Sequence, residues 1–233
     1  MVKLKAIDIN DLRVKLDQMN EQIISGLKTR SRFPLNIGTF KQNFADGKTW
    51  FSYRLKKEQD IDSEFGRFLY PDQSPIIYSK EELAKPRINR TITSEGIEQV
   101  QIDIHKEIIN MYHEILEKLC EKKEDIANYG ETTKQDVENI ILYNERIVGI
   151  GEQVAGYKMQ NNPELLKLKD PEEIRKKLIN PKREQEVIDK MIAITKKYEL
   201  DHVEEIKKFA QKIINLTTEV EVKRILAAAK NKQ

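Results

Sequence analysis

A glutamate near the end of the chain continues the apolar face of a predicted helix. The face consists of Ile206, Ala210, Ile213, Thr217 and Glu221, which follow one another at the helical spacing of three or four residues. Burial disfavours the charged form of a carboxylate, so Glu221 should have a raised pKa, and a neutral carboxyl group can donate a hydrogen bond. The alternative is that this end of the helix has reached solvent.

A lysine ends a second face of the same kind on an earlier predicted helix. This face consists of Val137, Ile141, Asn144, Val148, Gly151, Ala155 and Lys158. A lysine in such a position either extends its ammonium group along the surface to water or is a cation kept for a ligand. The pattern alone leaves both interpretations open.

Three further polar residues have the spacing to join a site. Asn180 and Glu184 lie four residues apart and therefore share a face at a predicted helix start, where Asn180 is the expected N-cap and Pro181 suits the first turn. Arg13 lies one turn before Leu16 on the first predicted helix. Taken singly, each is also typical of a cap or a solvated residue.

The composition limits the classes of function. The 233 residues carry 41 basic and 39 acidic side chains, a net charge of +2, which gives no general attraction to nucleic acid or to an anionic membrane. The single cysteine, Cys120, excludes an internal disulfide, and the first residues lack an apolar run of signal-peptide length, so we expect a cytoplasmic protein. The three histidines do not have the spacing of a metal site, and we expect no metal.

The apolar periodicity predicts an all-α fold. No segment shows sustained alternation with β-branched residues, so we expect a single-domain helical bundle without significant sheet. The predicted helices cover residues 9–33, 50–69, 94–122, 134–160, 172–178, 181–198 and a last segment that ends near 229. Gly130 is the expected stop of one helix, and Thr133 is the expected N-cap of the next.

Six segments in the same order give the chain a resemblance to a known family. They are "LRVKLDQMNEQIISGLKTRSRFP", "GRFLYPDQSP", "NYGETTKQDVENIILYNERI", "GEQVAGYKMQ", "INPKREQEVIDKM" and "NLTTEVEVKRIL". With them the chain resembles the chorismate mutases of the all-helical AroQ class, in particular the longer yeast and plant type. The resemblance implies a Claisen rearrangement of chorismate to prephenate, a step toward phenylalanine and tyrosine, which needs no cofactor.

The resemblance also implies roles for the residues that stood out above. Arg13 and Arg146 would clamp the two carboxylates of the substrate, and Lys158 would bind a carboxylate and the ether oxygen. A protonated Glu221 would donate to the same oxygen. Asn180 and Glu184 would hold the ring hydroxyl and its surroundings, and Thr217 would line the carboxylate side.

The position of Arg146 departs from the pattern of the family. In the family the second arginine lies eleven residues before the lysine, whereas Arg146 lies twelve residues before Lys158 and Ile147 occupies the expected place. In a regular α-helix twelve residues leave Arg146 about 120° away from the face of Lys158. Either a π-bulge near Val148 and Gly149 absorbs the extra residue, or the carboxylate clamp is altered.

The yeast and plant enzymes are dimers with an aromatic amino-acid effector site, and part of that region is also matched. The residues that fall there are Arg67, Asn128, Gly130, Glu131 and Lys134. Glu131 and Lys134 replace the small hydroxyl residues of the family, and the alternative is that all five only shape a helix connection. We expect a homodimer.

The resemblance implies one domain over residues 1–233. Residues 1–122 would supply Arg13 and the dimer and effector region, and residues 133–229 would supply most of the site. The alternatives to an enzyme are a helical ligand-binding or regulatory protein that keeps the fold without the chemistry, and a helical scaffold without a ligand site.

Overall fold

The computed structural model describes residues 2–4, 8–70, 72–94 and 102–230, and these are mostly helical, which confirms the predicted all-α class. The α-helices are α1 (Ile9–Arg30), α2 (Gly38–Lys41), α3 (Trp50–Glu64), α4 (His105–Leu119), α5 (Tyr129–Asn144), α6 (Ile150–Asn161), α7 (Pro171–Leu178), α8 (Pro181–Lys197) and α9 (Val203–Lys230). Short 3₁₀ turns cover Arg67–Leu69, Lys80–Glu82, Ile126–Asn128 and Pro163–Lys167.

The strands of the described residues form two small pairs. Strand β1 (Val2–Leu4) pairs in parallel with β4 (Ile92–Ser94), and β2 (Asn43–Ala45) pairs with β3 (Lys48–Thr49) in a hairpin. The prediction that a helix starts at Ser94 is therefore wrong, because Ser94 ends a strand and α4 begins only at His105. Residues 95–101, including Ile97, lie outside the described residues.

One continuous helical segment runs from Tyr129 to Asn161, and it starts earlier than predicted. The expected stop at Gly130 and the expected N-cap at Thr133 are both wrong, since both residues lie inside α5. Gly130 is in the first turn, where the backbone N–H groups need no partner within the helix, so a glycine disturbs the helix little there. Thr133 is buried against the core instead of capping a helix end.

The packing of α9 brings the parts of the site together. This longest helix contacts α4, α6, α7 and α8, while α1 lies across α5, α6 and α8. A buried ion pair fixes α1 to α5, with Arg30 Nε 2.6 Å from Asp136 Oδ1, and Tyr112 donates a hydrogen bond of 2.6 Å to the same carboxylate oxygen. The four helices α1, α6, α8 and α9 therefore converge around one cleft.

None of the helices within the described ranges is both long enough and apolar enough to cross a lipid bilayer.

Glu152 is a buried carboxylate on α6, and it predicts a pH-dependent stability. Its side chain is fully buried, and burial raises its pKa to about 8, with Arg224 and Lys80 opposing the rise and Asp72 adding to it. The folded protein therefore holds this proton up to about pH 8, whereas an unfolded chain releases it near its ordinary value of 4.5. The stabilisation is complete below pH 4.5 and is lost as the pH rises through 8.

We expect the free energy of unfolding to fall by about 2 kcal/mol between pH 6 and pH 8 because of this group. Glu152→Gln keeps the shape without the titration, so its melting temperature should fall by about 5 °C less than that of the wild type over the same interval. Circular-dichroism melts at both pH values measure this difference. Glu117→Gln, a change at an exposed carboxylate, is the control and should keep the wild-type pH dependence. The same pH dependence in Glu152→Gln would show that Glu152 is not the group that titrates.

Candidate active site

The seven residues predicted for substrate binding and catalysis all line one cleft. The cleft has a volume of about 680 Å³ and lies between α1, α6, α8 and α9. The predicted residues on its wall are Arg13, Arg146, Lys158, Asn180, Glu184, Thr217 and Glu221. Five of the seven are cations or carboxylates from segments far apart in the sequence, and the fold alone brings them together.

Lys158 and Glu221 form an ion pair inside this cleft. Lys158 Nζ donates a hydrogen bond of 2.7 Å to Glu221 Oε2 and a second one of 3.3 Å to the Leu178 carbonyl oxygen. The lysine side chain is 32% exposed and the glutamate 6%, so the ammonium group faces the cleft while the carboxylate lies behind it. The Glu221 carboxylate is buried, which excludes the alternative that this end of α9 has reached solvent.

A glycine makes the close approach of α6 and α9 possible. A Cβ atom at Gly151 would lie 2.8 Å from a side-chain carbon of Val220 and 3.3 Å from the Thr217 carbonyl oxygen. Any larger residue would push the two helices apart. Gly151 therefore helps to keep Lys158 on one helix within reach of Glu221 on the other.

Burial raises the pKa of Glu221, and its neighbours shift it in both directions. Lys158 and Arg146 lower the pKa, and Glu184 raises it, but burial dominates and the carboxyl group remains easier to protonate than an ordinary glutamate. A bound anion in the cleft would raise this pKa further. The site can thus present a carboxylic acid beside an ammonium group.

A π turn brings Arg146 to the same cleft as Lys158. Residues Glu145–Gly149 form this turn between α5 and α6, so the π-bulge predicted as one of two alternatives is confirmed. The wider turn absorbs one extra residue, and twelve positions then complete the rotation that eleven complete in a regular helix. Arg146 is consequently buried in the wall of the cleft, with 3% of its surface exposed.

The guanidinium group of Arg146 is held from two sides. Its Nε donates to Asn20 Oδ1 at 3.3 Å, and its Nη1 donates to Thr217 Oγ1 at 3.2 Å. Thr217 in turn donates its own proton to the Ile213 carbonyl oxygen at 2.8 Å, so its hydroxyl accepts from the arginine and orients it. Burial lowers the pKa of Arg146 to about 10, and Arg183 contributes to the decrease while Glu221 opposes it. The arginine remains charged at neutral pH.

Asn180 and Glu184 lie at the start of α8. Asn180 is the N-cap, as predicted, with Oδ1 accepting a hydrogen bond of 3.1 Å from the Arg183 backbone N–H, and Pro181 follows in the first turn. Because the carbonyl oxygen of the amide is used in this way, Asn180 offers its Nδ2 donor to a ligand. Arg13 reaches the cleft from α1, where it is exposed at the rim.

Two further cations on the cleft wall were not predicted from the sequence. Arg183 and Lys177 both line the cleft. Arg183 directly precedes Glu184, and this adjacency was the available signal, although a charged residue at a helix start is usually solvated. The cleft therefore holds more positive charge than was predicted, as suits a ligand with two negative charges.

The five residues predicted for an effector site divide into two groups in this chain. Arg67 pairs with Asp62 at 2.8 Å and with Glu145 at 3.2 Å, next to the C-terminal end of α5. The N-terminal end of α5 carries the other four residues, Asn128, Gly130, Glu131 and Lys134. The two groups are about 25 Å apart along the helix, so one chain does not join them into a single site.

The chain is similar in sequence to known chorismate mutases. A family model for chorismate mutase type II matches residues 128–222. Chorismate mutase 1 of Zea mays, a chloroplastic protein, is 28% identical over 165 residues, which cover 68% of this chain and 52% of that protein. The chorismate mutase of Saccharomyces cerevisiae is 25% identical in a match that covers 94% of each chain.

A solved structure extends the likeness to the fold. The crystal structure of AtCM1 with tyrosine bound in its allosteric site superposes with a TM-score of 0.81 at 25% identity, and the match covers 95% of this chain and 96% of that one. This chain spans about half the length of the plant relatives, 52% of the Zea mays protein and 48% of chorismate mutase 1 of Arabidopsis thaliana. The relatives are isomerases, and the predicted resemblance to the yeast and plant chorismate mutases is confirmed.

Proposed function

We propose that this chain, which resembles the yeast and plant chorismate mutases, itself converts chorismate to prephenate on the route to phenylalanine and tyrosine. The observation that supports this most directly is the meeting of Arg146, Lys158 and Glu221 in one cleft. Two cations and a carboxyl group of raised pKa suit a substrate with two carboxylates and an ether oxygen.

The reaction requires positioning and charge stabilisation more than chemical groups. Within one molecule the ether C–O bond breaks while a C–C bond forms, so no nucleophile or cofactor takes part. The enzyme gains rate by holding the compact reactive conformer and by stabilising the negative charge that develops on the ether oxygen. In the cleft Arg13 and Arg146 are proposed to bind the carboxylates, and Arg146 is held rigidly for this by Asn20 and Thr217.

The ion pair is proposed to supply the stabilisation of the ether oxygen. Lys158 would donate from its ammonium group, and Glu221, once protonated, would donate from its carboxyl group. Asn180 would contribute the Nδ2 donor that its capping role leaves available, and Glu184 would accept from the ring hydroxyl. Thr217 acts on the substrate through Arg146, because its hydroxyl is already engaged with that arginine.

The direct test is incubation of the purified protein with chorismate. Loss of chorismate absorbance and the appearance of prephenate are expected, and no conversion above the uncatalysed rate would refute the proposal. The alternative of a binding protein without chemistry rested on a misdirected Arg146, and the π turn removes that reason. Saturable binding of a bicyclic dicarboxylate without turnover would still favour it.

We also propose that the chain forms a homodimer in which an aromatic amino acid can bind between two copies. Arg67 and the group at Asn128 lie at opposite ends of α5, so a second copy is needed to join them. Exposed apolar side chains lie beside both groups, Ile61 and Phe65 near Arg67 and Ile126 near Asn128, with 54%, 79% and 74% of their surfaces accessible. Sedimentation equilibrium is expected to give twice the chain mass of 27.3 kDa, and a monomer mass would contradict the dimer.

A further inference from the structure

Glu145, the first residue of the π turn, holds two cations on the side of the helix away from the cleft. Its Oε1 lies 3.3 Å from Lys15 Nζ on α1, and its Oε2 lies 3.2 Å from Arg67 Nη2, which follows α3. The glutamate side chain is 25% exposed, so water screens the two pairs only in part. One carboxylate thus connects α1, the segment after α3 and the start of the turn.

Two more contacts hold the same outer surface of the turn. Asn144 Nδ2 donates a hydrogen bond of 2.8 Å to the Ser74 carbonyl oxygen. At Gly149 a Cβ atom would lie 3.0 Å from the Asp72 carbonyl oxygen, so the glycine allows the backbone near residue 72 to lie against the turn. The first residue of the turn is thus held by ion pairs, and the last residue lies close against a neighbouring segment.

A π turn needs such support because a regular α-helix is the default for a continuous segment. If residues 145–149 closed into α-helical geometry, the relation between Arg146 and Lys158 would change by about 100°, one helical residue. The guanidinium group of Arg146 would then leave the wall of the cleft. The hydrogen bonds of Arg146 are placed to oppose this change from the side of the cleft, and the contacts of Glu145 and Asn144 are placed to oppose it from the outer side.

We propose that Glu145 is a positioning residue, whose bridge to Lys15 and Arg67 holds the π turn in the geometry that directs Arg146 at a substrate carboxylate. This proposal rests on the proposed function for its catalytic consequence. Glu145 itself does not reach the substrate, and its effect passes through Arg146. Lys15 lies two residues from Arg13 on α1, so the same bridge connects the helices that carry both arginines of the clamp.

The test compares Glu145→Gln with Glu138→Gln, a matched change on the same helix. Glu138 lies seven residues earlier, is 55% exposed and pairs with Lys134 at 3.9 Å. Glu145→Gln is expected to lower kcat/KM about 10-fold, and Glu138→Gln should leave it within about 2-fold of the wild type. In an Arg146→Ala background Glu145→Gln should have little further effect, because the residue that it positions is gone. Full additivity of the two changes would overturn the proposal.

Amide hydrogen exchange gives a second measurement that does not depend on activity. Peptides covering residues 144–153 should exchange faster in Glu145→Gln than in the wild type, and Glu138→Gln should not change them. Unchanged exchange would show that Glu145 does not hold the turn and would also overturn the proposal. Should the wild type fail to convert chorismate, the proposed function fails, while the exchange measurement still decides whether Glu145 supports the turn.

Discussion

Lys158→Ala is expected to lower kcat for chorismate conversion by about 10³-fold. The ammonium group faces the cleft and lies 2.7 Å from the Glu221 carboxylate, so it is placed to meet the charge that develops on the ether oxygen. Removal of a fixed, charged donor at such a position costs most in the transition state, because a water molecule that takes its place is neutral and is not held in the required orientation. The loss should therefore be seen in kcat more than in KM.

The consequence for stability should be smaller than the loss of activity. Without Lys158 the buried carboxylate of Glu221 loses the main partner that lowers its pKa, and it can respond by taking up a proton. We expect the variant to fold, with a melting temperature a few degrees below that of the wild type. Thermal melts recorded with the kinetics separate the two effects.

Lys167→Ala is the matched control for this experiment. Lys167 lies nine residues further along the chain, its side chain is 73% exposed, and it pairs only with Glu164 among the described residues. Its removal should leave kcat within about 2-fold of the wild type, as is usual for a surface ion pair. A similar small change in Lys158→Ala would show that the ammonium group does not take part in the reaction.

The sequence could identify those site residues that place a polar side chain on the apolar face of a predicted helix. Lys158 and Glu221 end apolar faces, and both lie in the cleft because those faces point to the core. The spacing between Arg146 and Lys158 was similarly informative, since twelve residues required either a π turn or a misplaced arginine. Periodicity predicts a site residue where it fixes the direction of the side chain.

The contacts between distant segments could not be predicted in this way. The hydrogen bond from Arg146 to Thr217 and the bridge from Glu145 to Arg67 join residues 71 and 78 positions apart, and no periodicity relates them. The start of α5 was predicted wrongly for another reason. Gly130 and Thr133 are residue types that favour a helix end and an N-cap, but burial of one face of α5 stabilises the helix more than these local preferences oppose it. The strand Ile92–Ser94 depends on pairing with residues 2–4, a long-range partner that its own sequence does not reveal.

Glu221→Gln is expected to change the pH dependence of catalysis while keeping activity near neutral pH. Burial raises the pKa of Glu221, and the protonated carboxyl is the form that can donate to the ether oxygen. As the pH rises through this pKa the donor is lost, and a negative charge appears beside the oxygen on which charge develops. The wild-type kcat/KM should therefore decrease toward alkaline pH.

Glutamine removes this dependence because its amide donates a hydrogen bond at every pH. Its carbonyl oxygen can still accept from Lys158, so the ammonium group should keep its position. The kcat/KM of Glu221→Gln should be nearly constant between pH 5 and pH 9, whereas Glu221→Ala, which has no donor at any pH, should lose about 10²-fold throughout. The comparison thus separates the donor from the charge.

Glu219→Gln controls for the loss of a carboxylate on the same helix. Glu219 lies two residues before Glu221 and pairs with Arg175 and Lys223 outside the cleft, so its replacement should leave the wild-type pH profile unchanged. A Glu221→Gln profile that follows the wild type would mean that another group titrates. In that case Lys158 alone would stabilise the negative charge on the ether oxygen, and the only role of Glu221 would be to hold that lysine in place.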